Sequence, residues 1–172
     1  AVNMPSEYHA LVEGWGITCG VDCVKAHAGM YPEQAHLYGP SLSRLLDLGL
    51  GVEQARYEVL ERTRSAFRHA LDRLYADMDL MISPCMTTLP PTIAEMESDT
   101  GFNGDGLAPF IVFTAPFDYS GHPTLTMPVG LDQSGLPRSV QFIGPHLGER
   151  QLIQAALAFE RARGATVHPP IA

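Results

Sequence analysis

One lysine, Lys25, is the whole lysine content of a chain of 172 residues, and only three positions are cysteine. Acidic side chains outnumber basic ones 19 to 11, which leaves a formal net charge of -8. That balance argues against a phosphate-binding surface, because nucleic acid is held by clustered Lys and Arg rather than by excess carboxylate. Long apolar runs are missing as well. The longest, Ala108 to Phe117, is broken by Pro109 and Pro116 and is about half of the ~20 residues that a membrane-spanning helix needs. The first residues show no charged start followed by an apolar stretch, so no secretory leader is read there. The expectation is a cytoplasmic protein with neither nucleic acid nor membrane as partner.

The odd number of cysteines, with no sign of secretion, makes a disulfide framework improbable and reduced thiols the default. Cys19, Cys23 and His27 recur at four-residue steps and would share one helix face. Three ligands on a single segment do not make the usual four-ligand zinc site, so the expectation is no metal and no cofactor. What the chain does have is apolar material, 45% of its residues, enough for an ordinary globular core.

Periodicity divides the chain into helices and strands. From Val52 to Met78, Val52, Ala55, Val59, Ala66, Ala70, Leu74 and Met78 recur at helical steps or their sums, and the opposite face mixes Glu, Asp and Arg. Ser6 to Met30 reads as a weaker helix, since Gly14, Gly16, Gly20 and Gly29 each cost about 1 kcal/mol in a helix interior. A short helix is expected around Ser41 to Asp47, after Gly39-Pro40 and ending near Gly49 and Gly51. The sequence Asp79-Leu80-Met81-Ile82-Ser83-Pro84 suits a buried strand stopped by proline. Thr87 to Gly106, rich in Pro, Thr, Asp and Gly, reads as a long surface excursion. Its glycines lack the Gly-Lys-Ser/Thr of a phosphate loop. Two strands, Pro123 to Gly130 and Ser139 to Ile143, are joined through Ser134-Gly135, and Glu149 to Arg163 closes the pattern as a helix ending at Gly164. The alternation predicts an α/β arrangement of helices packed on a few strands, mainly helical over 1–78, with strands, a long loop and a final helix over 79–172.

Asp118, Ser120 and His122 lie two residues apart and invite comparison with a catalytic triad. Along a strand such side chains project in parallel from positions ~6–7 Å apart, whereas a triad needs the imidazole between serine and carboxylate. No Gly-x-Ser-x-Gly elbow supports the idea. A polar turn entering the next strand is the favoured expectation.

The order of segments resembles the C-terminal third of amidase-signature proteins: Asp79-Leu80-Met81-Ile82-Ser83-Pro84, Phe113-Thr114-Ala115-Pro116-Phe117-Asp118, Gly121-His122-Pro123 with Met127-Pro128, Gly135-Leu136-Pro137, and Val140-Gln141-Phe142-Ile143-Gly144, preceded by Tyr38-Gly39-Pro40. Arg138-Ser139 departs from the family, which usually has an apolar residue and glycine there. The resemblance implies that the strands belong to a larger mixed sheet. It also implies amide hydrolysis by a serine nucleophile, a second serine in a cis peptide and a lysine base, reached through a glycine- and serine-rich signature. This chain has no paired serines and no Gly-Gly-Ser run, so no catalytic residue is assigned in it and the chain alone is expected to be inactive.

The expected partner is therefore the N-terminal, signature-bearing part of the same amidase, with a small-molecule amide as substrate and a homo-oligomer as an open arrangement. If Leu107 to Phe117 is helical, Ala108, Ile111 and Ala115 share one small-residue face. The resemblance puts this segment beside the acyl side of the substrate cleft and makes those three the candidate substrate-binding residues. Two alternatives stay open. One is a non-catalytic amidase-like binding or assembly domain; the other is part of an amidotransferase A-type subunit, which the acidic balance disfavours.

Overall fold

The computed structural model describes residues 1–97 and 108–164. It divides into two compact units, Ala1–His69 and Ala70–Ala172, each described by itself below.

In the first unit, helix α1 runs Tyr8–Ala26, α2 runs Pro40–Leu50, and α3, Gln54–Leu74, begins here and continues into the second unit. The glycines that weaken α1 by propensity have a packing use. A Cβ on Gly14 would lie 2.3 Å from Leu60 of α3, and one on Gly49 of α2 would lie 2.1 Å from the carbonyl oxygen of Gly20. Helices can meet this closely only where no side chain intervenes. The buried apolar side chains of the unit are Tyr8, Leu11, Ile17, Leu46, Leu60 and Phe67, with the Tyr8 and Phe67 rings 6.2 Å apart. α2 starts with proline at its first position and ends at Leu50 with Gly51 as its cap, within the Gly49 to Gly51 stretch where its end is expected.

The second unit is built on a three-stranded antiparallel sheet in the order β1-β3-β2, with β1 Met81–Pro84, β2 Thr124–Leu131 and β3 Pro137–Ile143. β3 is central, with Ser83 of β1 and Thr126 of β2 both opposite Gln141. Successive side chains of a strand point to opposite faces. One face presents Phe142, Val140, Leu125 and Met127 to helix α7, Glu149–Arg163, where Leu152 and Ala156 complete a buried cluster. Gly144 lets this helix settle, since a Cβ there would lie 3.0 Å from Leu152. The departure at Arg138-Ser139 coincides with an irregularity in the ladder: Pro128 pairs with Ser139 and Gly130 with Arg138, which leaves Val129 as the extra residue of a β-bulge.

Between β1 and β2 the expectations need correction. The segment read as a surface excursion contains a short helix, α4, at Ile93–Glu97. Thr92 and Glu95 form its capping box: Glu95 Oε2 accepts from the Thr92 amide at 2.7 Å, and the Glu95 amide donates to Thr92 Oγ at 3.2 Å. Residues 98–107, which include the rest of the glycine-rich stretch and Leu107, lie outside the described residues. The stretch Leu107 to Phe117, for which a helix is the condition of a shared face, holds two short helices, α5 Ala108–Ile111 and α6 Ala115–Ser120, separated by a turn. Pro116 is the cause, because its ring disfavours helical geometry at the residue before it and it has no amide hydrogen to continue a helix. It falls instead in the first turn of α6, where that amide is not needed.

Candidate functional site

The second face of the sheet carries the candidate site. Gln141, 2% exposed, projects there from the middle of the central strand. Its side-chain amide donates to the carbonyl of Phe113 at 2.8 Å and approaches Ser83 Oγ at 3.4 Å. Phe113 lies in the turn between α5 and α6. The other end of this elbow is held from the chain after β1, where the amide and hydroxyl of Thr87 both donate to the carbonyl of Pro109, at 3.2 and 3.0 Å. Two carbonyls of the 108–117 segment are thus fixed by residues on or next to the sheet. Cys85 and Thr126 border the same region, with Cys85 Sγ 3.7 Å from Thr126 Oγ.

The elbow determines what the three candidate substrate-binding residues present. Ala115 is fully buried in the first turn of α6, Ile111 at the end of α5 is half-buried, and Ala108 at the start of α5 is exposed. Because the helix is broken between Ile111 and Ala115, the three do not form the continuous stripe that their spacing predicts. Ala108 and Ile111 remain one turn apart on α5, and Ala115 belongs to the next helix.

Ser120 and His122 come together, which strand geometry had argued against. Ser120 ends α6, and Gly121 follows at φ 72°, the left-handed conformation that suits glycine. This reversal brings His122 Nδ1 to 3.0 Å from Ser120 Oγ. The carboxylate near the ring is not Asp118 but Asp72, near the end of α3, whose Oδ1 lies 3.2 Å from His122 Nε2. Tyr75 stacks on the imidazole at 5.3 Å between centroids and donates its hydroxyl to the Ile143 carbonyl at 2.9 Å. Burial raises the Tyr75 hydroxyl well above its ordinary pKa of 10.0.

The order serine, histidine, aspartate is that of a triad, but the chemistry is not. Ser120 is 1% exposed, and its hydroxyl donates to the carbonyl of Phe117 at 3.1 Å. A nucleophile needs a free path to a carbonyl carbon and a proton available to its base; here the proton is committed to the backbone. The cluster instead ties the ends of α3 and α6 to the start of β2. Asp118 stands apart on the surface, its carboxyl shielded enough for burial to raise its pKa.

The other residues singled out by sequence are occupied elsewhere. Lys25, in the last turn of α1, pairs with Asp22 at 3.0 Å and donates to the Tyr57 hydroxyl at 2.8 Å, exposed to solvent. Its pKa is raised, by the Tyr57 contact first and then by Asp22, the opposite of what a lysine base needs near neutral pH. Cys19 and Cys23 are half-buried and outside any disulfide, and His27 Nδ1 lies 2.9 Å from the Tyr38 hydroxyl. No described helix is long and apolar enough to cross a membrane.

Gln141 and Thr87 were not singled out as site residues by sequence, although Gln141 interrupts the apolar run Val140 to Ile143, and a polar residue facing a sheet interior needs a partner. Asp72, one of several charges on α3, carries no such signal.

Comparison with known proteins bears on the family and the fold. The Amidase family model matches residues 10–153. Among relatives, AmiD of Mycobacterium tuberculosis (strain ATCC 25618 / H37Rv), provisionally named an amidase, is 33% identical over 144 residues, 84% of this chain and 30% of its own length. The glutamyl-tRNA(Gln) amidotransferase of Halothermothrix orenii (strain H 168 / OCM 544 / DSM 9562) has an A-type chain that is 30% identical over 131 residues, 73% of this chain and 26% of that protein. An amidase crystal structure superposes with a TM-score of 0.78 at 22% identity, covering 91% of this chain and 36% of that one. The chain thus spans under a third of the length of these two relatives, and throughout that span it belongs to the amidase-signature family.

Proposed function

We propose that this chain forms the C-terminal part of an amidase that hydrolyses the C–N bond of a small-molecule carboxamide, and that it shapes the substrate cleft without supplying the nucleophile. The observation that carries this reading is the fixed elbow. Thr87 holds the Pro109 carbonyl and Gln141 holds that of Phe113, so the segment bearing Ala108, Ile111 and Ala115 is a preorganised wall, as an apolar subsite requires. A wall needs chemistry opposite it. Lys25 is surface-paired and Ser120 is buried, so the serine pair and the lysine base belong to signature-bearing sequence outside this chain. Exposed apolar side chains such as Ile82 on β1, at 62%, and Ile93 on α4, at 78%, suit packing against that companion part. The cytoplasm is the proposed location.

The test is ammonia release from a panel of aliphatic and aromatic carboxamides. Hydrolysis is expected from the polypeptide that joins this chain to its signature-bearing part, and none from residues 1–172 alone. Hydrolysis by residues 1–172 alone would overturn the division of labour; no hydrolysis by the joined polypeptide would overturn the activity.

The similarity to the amidotransferase chain supports a second reading, in which ammonia released from an amide is passed on to another acceptor. Glutaminase activity that rises when a charged transfer RNA is added separates this from plain hydrolysis.

A further inference from the structure

We propose that Gln141 is a positioning residue of the amide-hydrolysing site, setting where the 108–117 wall stands relative to the substrate; this rests on the function proposed above. Gln141 is buried in the centre of the central strand, between Ser83 and Thr126 on its two neighbours. A buried primary amide on a sheet face that also carries Met81 and Ile143 is costly unless it is satisfied. Its nitrogen is satisfied by a bond running out of the sheet, to the carbonyl of Phe113 at 2.8 Å. The acceptor lies in the three-residue turn between two short helices, neither of which is long enough to hold its own position. The glutamine side chain thus sets the distance of the Phe113 carbonyl from the sheet, alongside the Thr87 bonds to Pro109 and the buried side chains of α6.

Ser83 fixes the direction in which that amide points. Its hydroxyl donates to the Pro84 carbonyl at 3.0 Å, which leaves Ser83 Oγ as the acceptor of the weaker 3.4 Å contact from the same Gln141 nitrogen. Both hydrogens of the amide are thereby used, one on the elbow and one on the edge strand β1. Ala115, two residues beyond Phe113, is fully buried, so a shift of the elbow is transmitted to α6 rather than absorbed by loose packing.

The test uses the complete amidase that contains this chain, with three variants. Gln141→Met keeps the length and removes the donor. Gln141→Glu keeps the length and can donate to the Phe113 carbonyl only when protonated. Gln141→Asn keeps the amide but retracts it by one methylene, and it replaces the methionine variant should that not fold. The methionine and asparagine variants are expected to raise KM for the preferred carboxamide about tenfold, with kcat within about twofold of wild type. That is the signature of a displaced binding wall with intact chemistry. The glutamate variant is expected to show the same raised KM at neutral pH and to approach the wild-type value as pH falls and its carboxyl regains the proton, a pH dependence that a purely structural role would not produce.

An unchanged KM in folded variants would overturn the proposal. So would a fall in kcat at constant KM, which would place Gln141 on the transition state instead. Absence of amide hydrolysis in the wild-type protein would overturn the underlying function, and is distinguished from both by needing no variant.

Discussion

Replacing Gly49 with alanine tests the helix contact of the first unit directly. The new Cβ would lie 2.1 Å from the carbonyl oxygen and 2.3 Å from the carbonyl carbon of Gly20, about 1.3 Å inside the 3.4 Å at which ordinary contact begins. Both atoms are backbone, so no rotamer change relieves the overlap and α1 and α2 must move apart. Overpacking of this kind costs about 1–3 kcal/mol. Gly49 is the penultimate residue of α2, so little of the ~1 kcal/mol advantage of alanine in a helix interior offsets it. A net loss of about 2 kcal/mol is expected, roughly a 30-fold fall in the folded-to-unfolded ratio, or about 4–8 °C in Tm for a chain of this size. Gly16→Ala is the matched control. It lies inside α1, and its Cβ would meet nothing closer than Leu48 Cδ2 at 4.0 Å. That variant should gain up to about 1 kcal/mol. Urea unfolding followed by far-ultraviolet circular dichroism measures both. The contact is refuted if Gly49→Ala is neutral or stabilising, or if the two variants shift the midpoint in the same direction.

Two further predictions concern protons. Tyr75 should titrate well above the ordinary 10.0 because burial disfavours its anion. Its contribution to stability is then complete below the unfolded value near 10.0 and declines as pH rises beyond it, where only the unfolded chain gives up the proton. Ultraviolet difference titration should lose its latest-titrating tyrosine in Tyr75→Phe, later than Tyr8, Tyr31 and Tyr57, which are also raised, at a cost of about 1 kcal/mol for the lost bond to the Ile143 carbonyl; a Tyr75 that ionises with exposed tyrosines contradicts this. Glu95 behaves in the opposite sense, its pKa lowered by the Thr92 amide first and then by the Thr92 hydroxyl. Order in α4 should be full above the unfolded pKa of this carboxyl and lost as pH falls through the lower folded one. A carboxyl chemical-shift titration of Glu95, with amide exchange in Glu95→Gln as comparison, reads it; an unshifted Glu95 removes the capping box.

Sequence carried local patterns well and distant ones hardly at all. α7 was legible from end to end, because its apolar spacing, its closing Gly164 and the prolines beyond agree with one another. The capping box of α4 was equally local and legible, but the Pro- and Thr-rich texture around it pointed to a loop. At the elbow the spacing of Ala108, Ile111 and Ala115 is outweighed by Pro116, which starts a second helix. The glycines of α1 were legible as a cost and not as a use, since nothing near Gly20 in sequence says that Gly49 will lie against it. Gln141 with Phe113, and His122 with Asp72, are separated by 28 and 50 residues, and no period links them.

The order β1-β3-β2 fixes when this sheet can exist. Among the described residues β1, at Met81–Pro84, pairs with β3, at Pro137–Ile143, so during synthesis that pairing waits for more than fifty residues. β2 and β3 can close as a local hairpin and then receive β1 from the other side. Such long-range closure is slow relative to hairpin formation, and in the interval Met81 and Ile82 form an apolar strand open to any competing edge. Of these three strands, the last to be made is thus the one on which the first depends.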